Sequence, residues 1–521
     1  MSWRPEVDEI ERRKRLAQEL GGAEAVERQH ASGRLTIRER VERLVDPGSF
    51  HETGPHAGFA ELDEQGKTTS FEPANYVLGV GRIDGRPCVV GGEDFTQRGG
   101  SPSTAGFRKS VYAEEMACRL RLPLVRFLEG GGGSVRGSSK RSAPAPASDP
   151  VYATHRFVSI ARALRTAPVV SAGLGAVAGL PAARLAASHL AIMTRATSQV
   201  LIGGPALVER ALGERKTKEE LGGAQVHGKS GVVDLVVETE DDVFGAIRRF
   251  LSYLPTRVGE LAPRATPFAD DRPGRIEEEL LEIVPRDRRR LYDMRRLLGL
   301  VFDLGSLYEM SRFYGRSQIT ALARLDGWPV GVFANDPNFQ GGAMGAEDAQ
   351  KVRRFLQLCQ RFHLPILSFV DEPGFMIGSQ AEAAGTIRYG VEAICAAVET
   401  TVPWATVHVR KAYGVASAAH FGPGGHVLTW PSAESGPLPL EGGIAVAFKR
   451  EIAAAPDPDA KRRELEETFA KARSPFPRAE SFSVHDLIDP RDTRPELCRW
   501  LELARPQLER EARRRWLDRD D

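Results

Sequence analysis

The sequence predicts a parallel, layered α/β fold that is used twice. Three observations carry this: an internal repeat, a strand–helix–strand order in each copy, and glycine loops at matching strand ends. Sliding the chain against itself by 242 residues brings Asp84-Gly85 onto Asp326-Gly327, Pro87 onto Pro329, Val90 onto Val332 and Asp94 onto Asp336. Gly99-Gly100 then meets Gly341-Gly342, Lys109 meets Lys351, Arg119 meets Arg361, Leu122-Pro123 meets Leu364-Pro365, Phe127 meets Phe369 and Gly132 meets Gly374. That makes 13 identities over the 49 positions 84–132, without a gap. After a gap of seven residues Pro168 meets Pro403 and Gly179 meets Gly414.

The elements follow in order. Residues 6–20 are highly charged with apolar residues at helical spacing, which predicts an amphipathic helix and no secretion signal. Residues 88–91 and 330–334 are short apolar strands running into Gly-Gly turns, followed by helices near 107–121 and 347–362. A Leu-Pro step then introduces buried strands at 124–128 and 366–370. The first ends in Glu129 and the glycines Gly130, Gly131, Gly132 and Gly133; the second ends in Asp371, Glu372, Pro373, Gly374 and Phe375. Residues 166–183 are the least charged long stretch, but Gly173, Gly175, Gly179 and Pro181 argue against a membrane helix and for a buried strand entering a loop. Its copy ends at Lys411, Ala412, Tyr413, Gly414 and Val415. Loops at the carboxyl ends of parallel strands are the expected ligand positions. The boundaries expected are a first domain at 1–255, a Pro-, Asp- and Arg-rich linker at 256–276, and a second domain at 277–521 that opens on a charged helix and closes on a charged helical tail.

Composition narrows the function. The 521 residues read as one fold used twice, with 71 Lys plus Arg against 70 Asp plus Glu, so no bulk charge favours nucleic acid or an anionic membrane. Glycine is in surplus at 52 residues. The five cysteines (Cys88, Cys118, Cys359, Cys395, Cys498) lie far apart without a C-x-x-C pair, which excludes a zinc ribbon or thioredoxin-type site and suits a reducing cytoplasmic setting. Cys359 and Cys395 fall in apolar helical runs and read as core. The 11 histidines show no ligand spacing, so no metal site is expected. Residues 223–230 match a phosphate-loop pattern literally, but a helix precedes and a strand follows, the reverse of the order that loop needs. Gly79-Val80-Gly81 and Gly173-Leu174-Gly175 lack full dinucleotide spacing, and Ser134 lies outside a nucleophile elbow.

Two glycine loops per half suit an oxyanion hole made of two backbone N–H groups from separate loops. Glycine lets backbone approach an acyl oxygen and take positive φ. The plainer reading, tight turns alone, remains open for any single loop.

Several further pieces make the chain resemble one family. They are Ala31-Ser32-Gly33-Arg34-Leu35-Thr36 with Arg38-Glu39-Arg40, Asp94-Phe95-Thr96 with Gly99-Gly100-Ser101, and Glu220-Leu221-Gly222-Gly223-Ala224. With them go Val370-Asp371 with Pro373-Gly374-Phe375, Arg410-Lys411-Ala412-Tyr413-Gly414, and Asp489-Pro490-Arg491-Asp492-Thr493-Arg494. Spread over nearly the whole chain, they resemble the carboxyltransferase (β) subunit of biotin-dependent acyl-CoA carboxylases of the propionyl-CoA and acetyl-CoA type.

The resemblance implies two crotonase-like (ββα spiral) domains in tandem and transfer of a carboxyl group from carboxybiotin to the α-carbon of an acyl-CoA. It implies acyl-CoA in the N-terminal half, with N–H donors at Gly132, Gly133, Gly179 and Leu180 and substrate contacts at Gly99, Gly100, Lys109 and Gly131, joined by Ala418 from the C-terminal half. It implies biotin in the C-terminal half, with donors at Gly374, Phe375, Val415 and Ala416 and with Tyr413 and Gly414 beside it. Arg98, Arg108, Arg136 and Lys140 are candidates for CoA phosphates or for plain solvated surface, and residues 138–150 for a cover over the acyl-CoA. His408 and His420 flank the biotin loop and read as hydrogen-bonded structural histidines.

The chain holds no Ala-Met-Lys-Met biotinylation motif and no ATP-grasp region. The resemblance therefore implies a partner carrying biotin carboxylase and the biotin carrier, and a homo-oligomer, usually a hexamer. Alternatives are the decarboxylase direction on a malonyl-type CoA ester, a biotin-independent lyase or hydrolase, and a catalytically silent scaffold subunit. The family's Gly-Gly-Ala loops read Gly179-Leu180-Pro181 and Gly414-Val415-Ala416 here, and an acidic position reads Ala418. Pro181 has no N–H to donate, and β-branched Val415 disfavours positive φ. These departures imply an acyl group other than plain acetyl or propionyl.

Overall fold

The computed structural model describes residues 2–131, 157–288 and 290–517. Gly132, Gly133, Ser134, Arg136, Lys140 and the segment 138–150 lie outside the described residues. The chain forms two compact units, Met1–Val258 and Gly259–Asp521.

The first unit opens with helices Arg4–Gln18, Ala23–Ala31 and Ile37–Leu44. The last begins where a capping box says it should: Thr36 accepts from the Glu39 N–H, and the Glu39 carboxylate accepts from the Thr36 N–H. Its strands in chain order are β1 (His51–Glu52), β2 (Gly58–Leu62), β3 (Thr68–Pro73), β4 (Tyr76–Ile83), β5 (Arg86–Glu93), β6 (Leu124–Gly130), β7 (Val169–Ala178), β8 (Leu190–Thr194), β9 (Gln199–Leu201) and β10 (Leu235–Val237). The main sheet runs β1-β4-β5-β6-β7-β8-β10, with β9 on β7, while β2 and β3 pair apart. The second unit has β11 (Tyr308–Met310), β12 (Gln318–Leu325), β13 (Trp328–Asn335), β14 (Ile366–Glu372), β15 (Trp404–Tyr413), β16 (His426–Thr429), β17 (Glu434–Gly436) and β18 (Asp486–Leu487). Its sheet runs β11-β12-β13-β14-β15-β16-β18, with β17 on β15.

The repeat seen in the sequence is a repeat of hydrogen-bond register. Val89 pairs with Leu124 and Gly331 with Ile366; Leu124 pairs with Val169 and Ile366 with Trp404. Both units slip register at the same place, between Leu128 and Gly130 and between Val370 and Glu372. The Asp-Gly repeats are two-residue hairpin turns joining β4 to β5 and β12 to β13, with Asp84 and Asp326 at φ 50° and Gly85 and Gly327 at φ 77°. Positive φ at both positions fits the right-handed twist of the flanking strands. The connecting helices are Thr104–Leu120 and Ala346–Arg361, close to the expected spans. Strands β6 and β14 are buried along their whole length, as the continuous apolar runs required.

Some local expectations differ. The charged stretch after Glu277 is a single 3₁₀ turn, Glu278–Leu281, too short for a helix. Residues from 259 onward are built into the second unit: Ala265 N–H donates to Gly327 O at 2.9 Å, and Leu304 N–H donates to the fully buried carboxylate of Asp271 at 2.9 Å. Cys359 is core, but Cys395 is exposed on the helix Thr386–Val398, because its apolar run has two faces. The phosphate-loop look-alike is the helix Ala224–Ser230, with Lys229 in its last turn and the space beside Gly223 filled by Glu219. Among the described residues no helix is long and apolar enough to cross a membrane.

Candidate active site: paired glycine loops at strand ends

In each unit the strand that carries the register slip ends in a buried acid, held by buried cations or their neighbours. Glu129, at the end of β6, is fully buried. It accepts from Arg40 Nη1 at 2.6 Å and Gln29 Nε2 at 3.0 Å, and pairs with Arg34. Arg40 reaches on to Glu240 at 2.7 Å. In the second unit Asp371 takes this place. It accepts from Arg410 Nε, from the Tyr292 hydroxyl at 3.0 Å and from the Lys411 N–H at 3.1 Å. The backbone N–H of each acid donates to a repeated position, Glu93 at 3.3 Å and Asn335 at 2.9 Å. These networks fix where the following loops begin.

The Gly-Gly turns press on the same strand ends. Gly99 and Gly100 have φ 58° and 70°, and a Cβ on Gly100 would lie 2.2 Å from Glu129 O. Gly131, exposed, donates its N–H to Gly99 O at 3.4 Å. Gly341 and Gly342 repeat the turn beside Asp371 O. Lys109 and Lys351 are buried behind these turns, their ammonium groups on carbonyls of Gly54 (3.2 Å) and Gln318 (2.7 Å). Burial pushes both down to about 8. Lys109 also lies 3.7 Å from Glu52, so its charge is spent inside the unit. Arg98 pairs with Glu72 at 3.2 Å, whereas Arg108 is exposed.

The second loops follow β7 and β15. Gly179, exposed at φ 65° and ψ −130°, turns β7 into the helix Leu180–Ala186, and its carbonyl accepts from Ala183. The N–H groups of Gly179 and Leu180 have no backbone partner among the described residues, and Pro181 has none to offer. At the end of β15 the N–H of Gly414 is taken by Gly436 O at 3.1 Å, while those of Val415 and Ala416 are without a backbone partner among the described residues. Val415 sits at φ −69° and 63% exposed. Gly414, at φ 60°, carries the positive φ, so the β-branched side chain meets no strain. Ala416 is buried and Ala418 exposed on the same short turn. Tyr413 is buried, with Arg473 5.3 Å over its ring.

Across from this turn, Gly374 at φ 124° donates its N–H to Glu372 at 3.0 Å, and its carbonyl accepts from Met344. The N–H of Phe375 is without a backbone partner among the described residues, and its ring fills the space a Cβ on Gly390 would need. Phe375, Val415 and Ala416 thus bring unpaired donors from two loops of one unit; in the other, Gly179 and Leu180 bring them from the second loop, while the N–H of Gly131 is taken by Gly99. Sequence reasoning did not single out the buried Glu372 or the Arg40 cluster. An acid directly before Pro-Gly-Phe, and the charged run Arg38-Glu39-Arg40, were the signals available.

The duplicated sheet, with glycine loops at matching strand ends, defines the crotonase-like class, here as a tandem pair. Comparison with known proteins sharpens this: the carboxyl transferase domain family matches residues 28–516, and the chain belongs to that family of acyl-CoA carboxyltransferase enzymes. It is 33% identical over 507 residues to a propionyl-CoA carboxylase carboxyltransferase subunit of Haloferax mediterranei, covering 95% of each chain. It is 33% identical over 497 residues to a methylmalonyl-CoA decarboxylase subunit alpha of Veillonella parvula, covering 94% of each. Among solved structures it is similar to the transcarboxylase 12S hexamer with methylmalonyl-coenzyme A and methylmalonic acid bound (TM-score 0.84, 32% identity, 96% and 95% coverage).

Proposed function

We propose that this chain transfers a carboxyl group between carboxybiotin on a separate carrier and the α-carbon of an acyl-CoA, using two sets of backbone donors. The observation that carries the reading is the pairing, in the second unit, of strand-end loops that present unpaired N–H groups at Phe375, Val415 and Ala416, matched in the first unit by those at Gly179 and Leu180. The first unit would hold the acyl-CoA, with Gly132, Gly133, Gly179 and Leu180 donating to the thioester oxygen as it gains enolate charge and Gly131 beside it. The second would hold biotin between Gly374-Phe375 and Val415-Ala416, walled by Tyr413 and Gly414. The fit is to the ring's ureido oxygen: neutral backbone donors on two fixed loops suit a polarised carbonyl. Carboxybiotin, when bound, supplies the carboxyl group and, once freed of it, a base for the α-proton.

The relatives' names support a propionyl- or methylmalonyl-type ester as the first substrate to try, with a hexamer as the assembly and a biotin carboxylase and carrier subunit as the partner. Ala418, where the family carries an acid, supports an acyl group other than plain acetyl or propionyl as the alternative. The five cysteines are all free, in keeping with the cytoplasm. The decarboxylase direction is the second reading, favoured by the Veillonella relative, since one site serves both directions.

The test is exchange of labelled carboxyl between malonyl-type CoA esters and free biotin, with no ATP added. We expect exchange, greatest with the ester that most raises the thermal midpoint. Binding of CoA esters without turnover would make the chain a silent scaffold, turnover indifferent to biotin a lyase or hydrolase. ATP hydrolysis by the purified chain would overturn the reading altogether.

A further inference from the structure

The repeat provides its own control for one feature of the second unit. At matched positions the first unit has Gly130 and Leu185, where the second has Glu372 and His420. Both second-unit side chains are fully buried, with His420 Nε2 3.5 Å from Glu372 Oε2 and otherwise without a partner. His420 is clamped flat on Phe333 at 4.1 Å, and its Nδ1 lies 2.9 Å from Ser368 Oγ. Glu372 Oε1 accepts from the Gly374 N–H at 3.0 Å, and its Oε2 accepts from Asn335 Nδ2 at 3.0 Å and Gln318 Nε2 at 3.2 Å. Glu372 therefore holds the first loop. His420 closes the short turn Ala416–His420 that forms the second.

We propose that Glu372 and His420 are positioning residues that share one proton, Glu372 Oε2–H donating to His420 Nε2, and so brace the Gly374-Phe375 loop against the Val415-Ala416 loop. The proposal deepens the function proposed above and rests on it for its kinetic consequence alone. An ion pair is disfavoured at a site closed to water, where one shared proton leaves both groups neutral. Burial pushes the Glu372 carboxyl up to about 8 and His420 down to about 3. The charged or titratable groups acting on the pair are Asp348 on the helix Ala346–Arg361, against Glu372, and His408 on β15, against His420. His408 is itself held neutral by burial.

The test is a double-mutant cycle with Glu372→Leu and His420→Leu, plus Glu372→Gln, followed by carboxyl exchange with free biotin. We expect each leucine variant to lower kcat about tenfold at unchanged KM for the CoA ester, and the double variant to do no worse than either single one. Glu372→Gln keeps the donor towards His420 and the acceptor for the Gly374 N–H and gives up only the acceptor for Asn335 and Gln318, so it is expected to restore kcat to within about threefold and to remove the fall in activity expected of wild type above about pH 8. Additive losses, or an unchanged alkaline limb in Glu372→Gln, overturn the brace. A second readout needs no turnover: the infrared band of a protonated carboxylic acid, present in wild type at pH 7 and absent in Glu372→Gln. Wild type without exchange but with that band would remove the function and keep the brace. A wild type lacking the band at pH 7 removes the brace whatever the kinetics.

The same pair sets a stability profile. Glu372 has its folded pKa raised from 4.5 to about 8, so its contribution is full below pH 4.5 and is lost as pH climbs through 8. Relative to Glu372→Gln, the wild-type thermal midpoint should fall steadily over that window and level off above it.

Discussion

Arg40→Leu is expected to destabilise the first unit by about 3–5 kcal/mol and to lower its thermal midpoint by roughly 10 °C. Arg40 is 1% exposed and is shared by two carboxylates, with Glu129 at 2.6 Å and Glu240 at 2.7 Å, and it also donates to Leu174 O at 3.3 Å. Leucine removes the cation and leaves Glu240, nearly buried, without its bidentate partner. Glu129 keeps only Arg34 and Gln29. Unpaired charge in a closed interior is what makes the loss large. The exposed pair Arg4–Asp8, with side chains 78% and 62% exposed, is worth under about 1 kcal/mol by contrast. Arg40→Lys should recover little, since an ammonium cannot offer the planar fork that Glu240 grips at both oxygens. The check is a thermal and guanidinium melt of the three proteins. A shift below about 3 °C for Arg40→Leu would show that the cluster is weakly coupled to stability.

That cluster marks where the sequence ceased to be legible. The fold was readable because duplication makes pattern visible twice: Pro87 and Pro329 sit at matching places in matching strands, and Leu122-Pro123 and Leu364-Pro365 just before β6 and β14. Register, bulge and hairpin turns all came with the repeat. The loops were readable for the same reason, since Gly99, Gly179, Gly374 and Gly414 are at positive φ and few other residues serve there. What binds those loops from behind was not readable. Glu129 is held by Arg34 and Arg40, some 90 residues earlier in the chain, and no local spacing foretells contacts of that range. Glu372 looked like one of two adjacent acids, and only burial shows that Asp371 is held by Arg410 while its neighbour faces a histidine. Lys109 likewise read as a substrate contact, although Gly54 and Glu52 occupy its ammonium group. Val415 shows the converse. Its side chain argued against positive φ, and the chain agrees by moving that burden to Gly414.

Gly179→Ala is expected to cut carboxyl exchange about 100-fold while the protein stays folded. At φ 65° and ψ −130° Gly179 lies outside the left-handed helical well that other residues visit at modest cost, in a region that is close to glycine-only. Alanine there costs about 1–3 kcal/mol, and the chain can relieve it by turning the peptide that joins residue 179 to Leu180. That peptide carries the Leu180 N–H, one of the donors assigned to the thioester oxygen, and a donor turned away is a donor lost. Gly213→Ala separates this from a general glycine effect. Gly213, at φ 74° and ψ 4°, caps the helix Pro205–Leu212 with open space around it. It should cost about 1 kcal/mol of stability and leave exchange intact. Gly414→Ala adds a second comparison, because its own N–H is already committed to Gly436 while Val415 and Ala416 carry the free donors. Strain there should act on the biotin side and raise the KM for free biotin more than that for the CoA ester. A Gly179→Ala protein that exchanges carboxyl groups within about threefold of wild type would reduce Gly179 to a turn residue and remove its loop from the oxyanion hole.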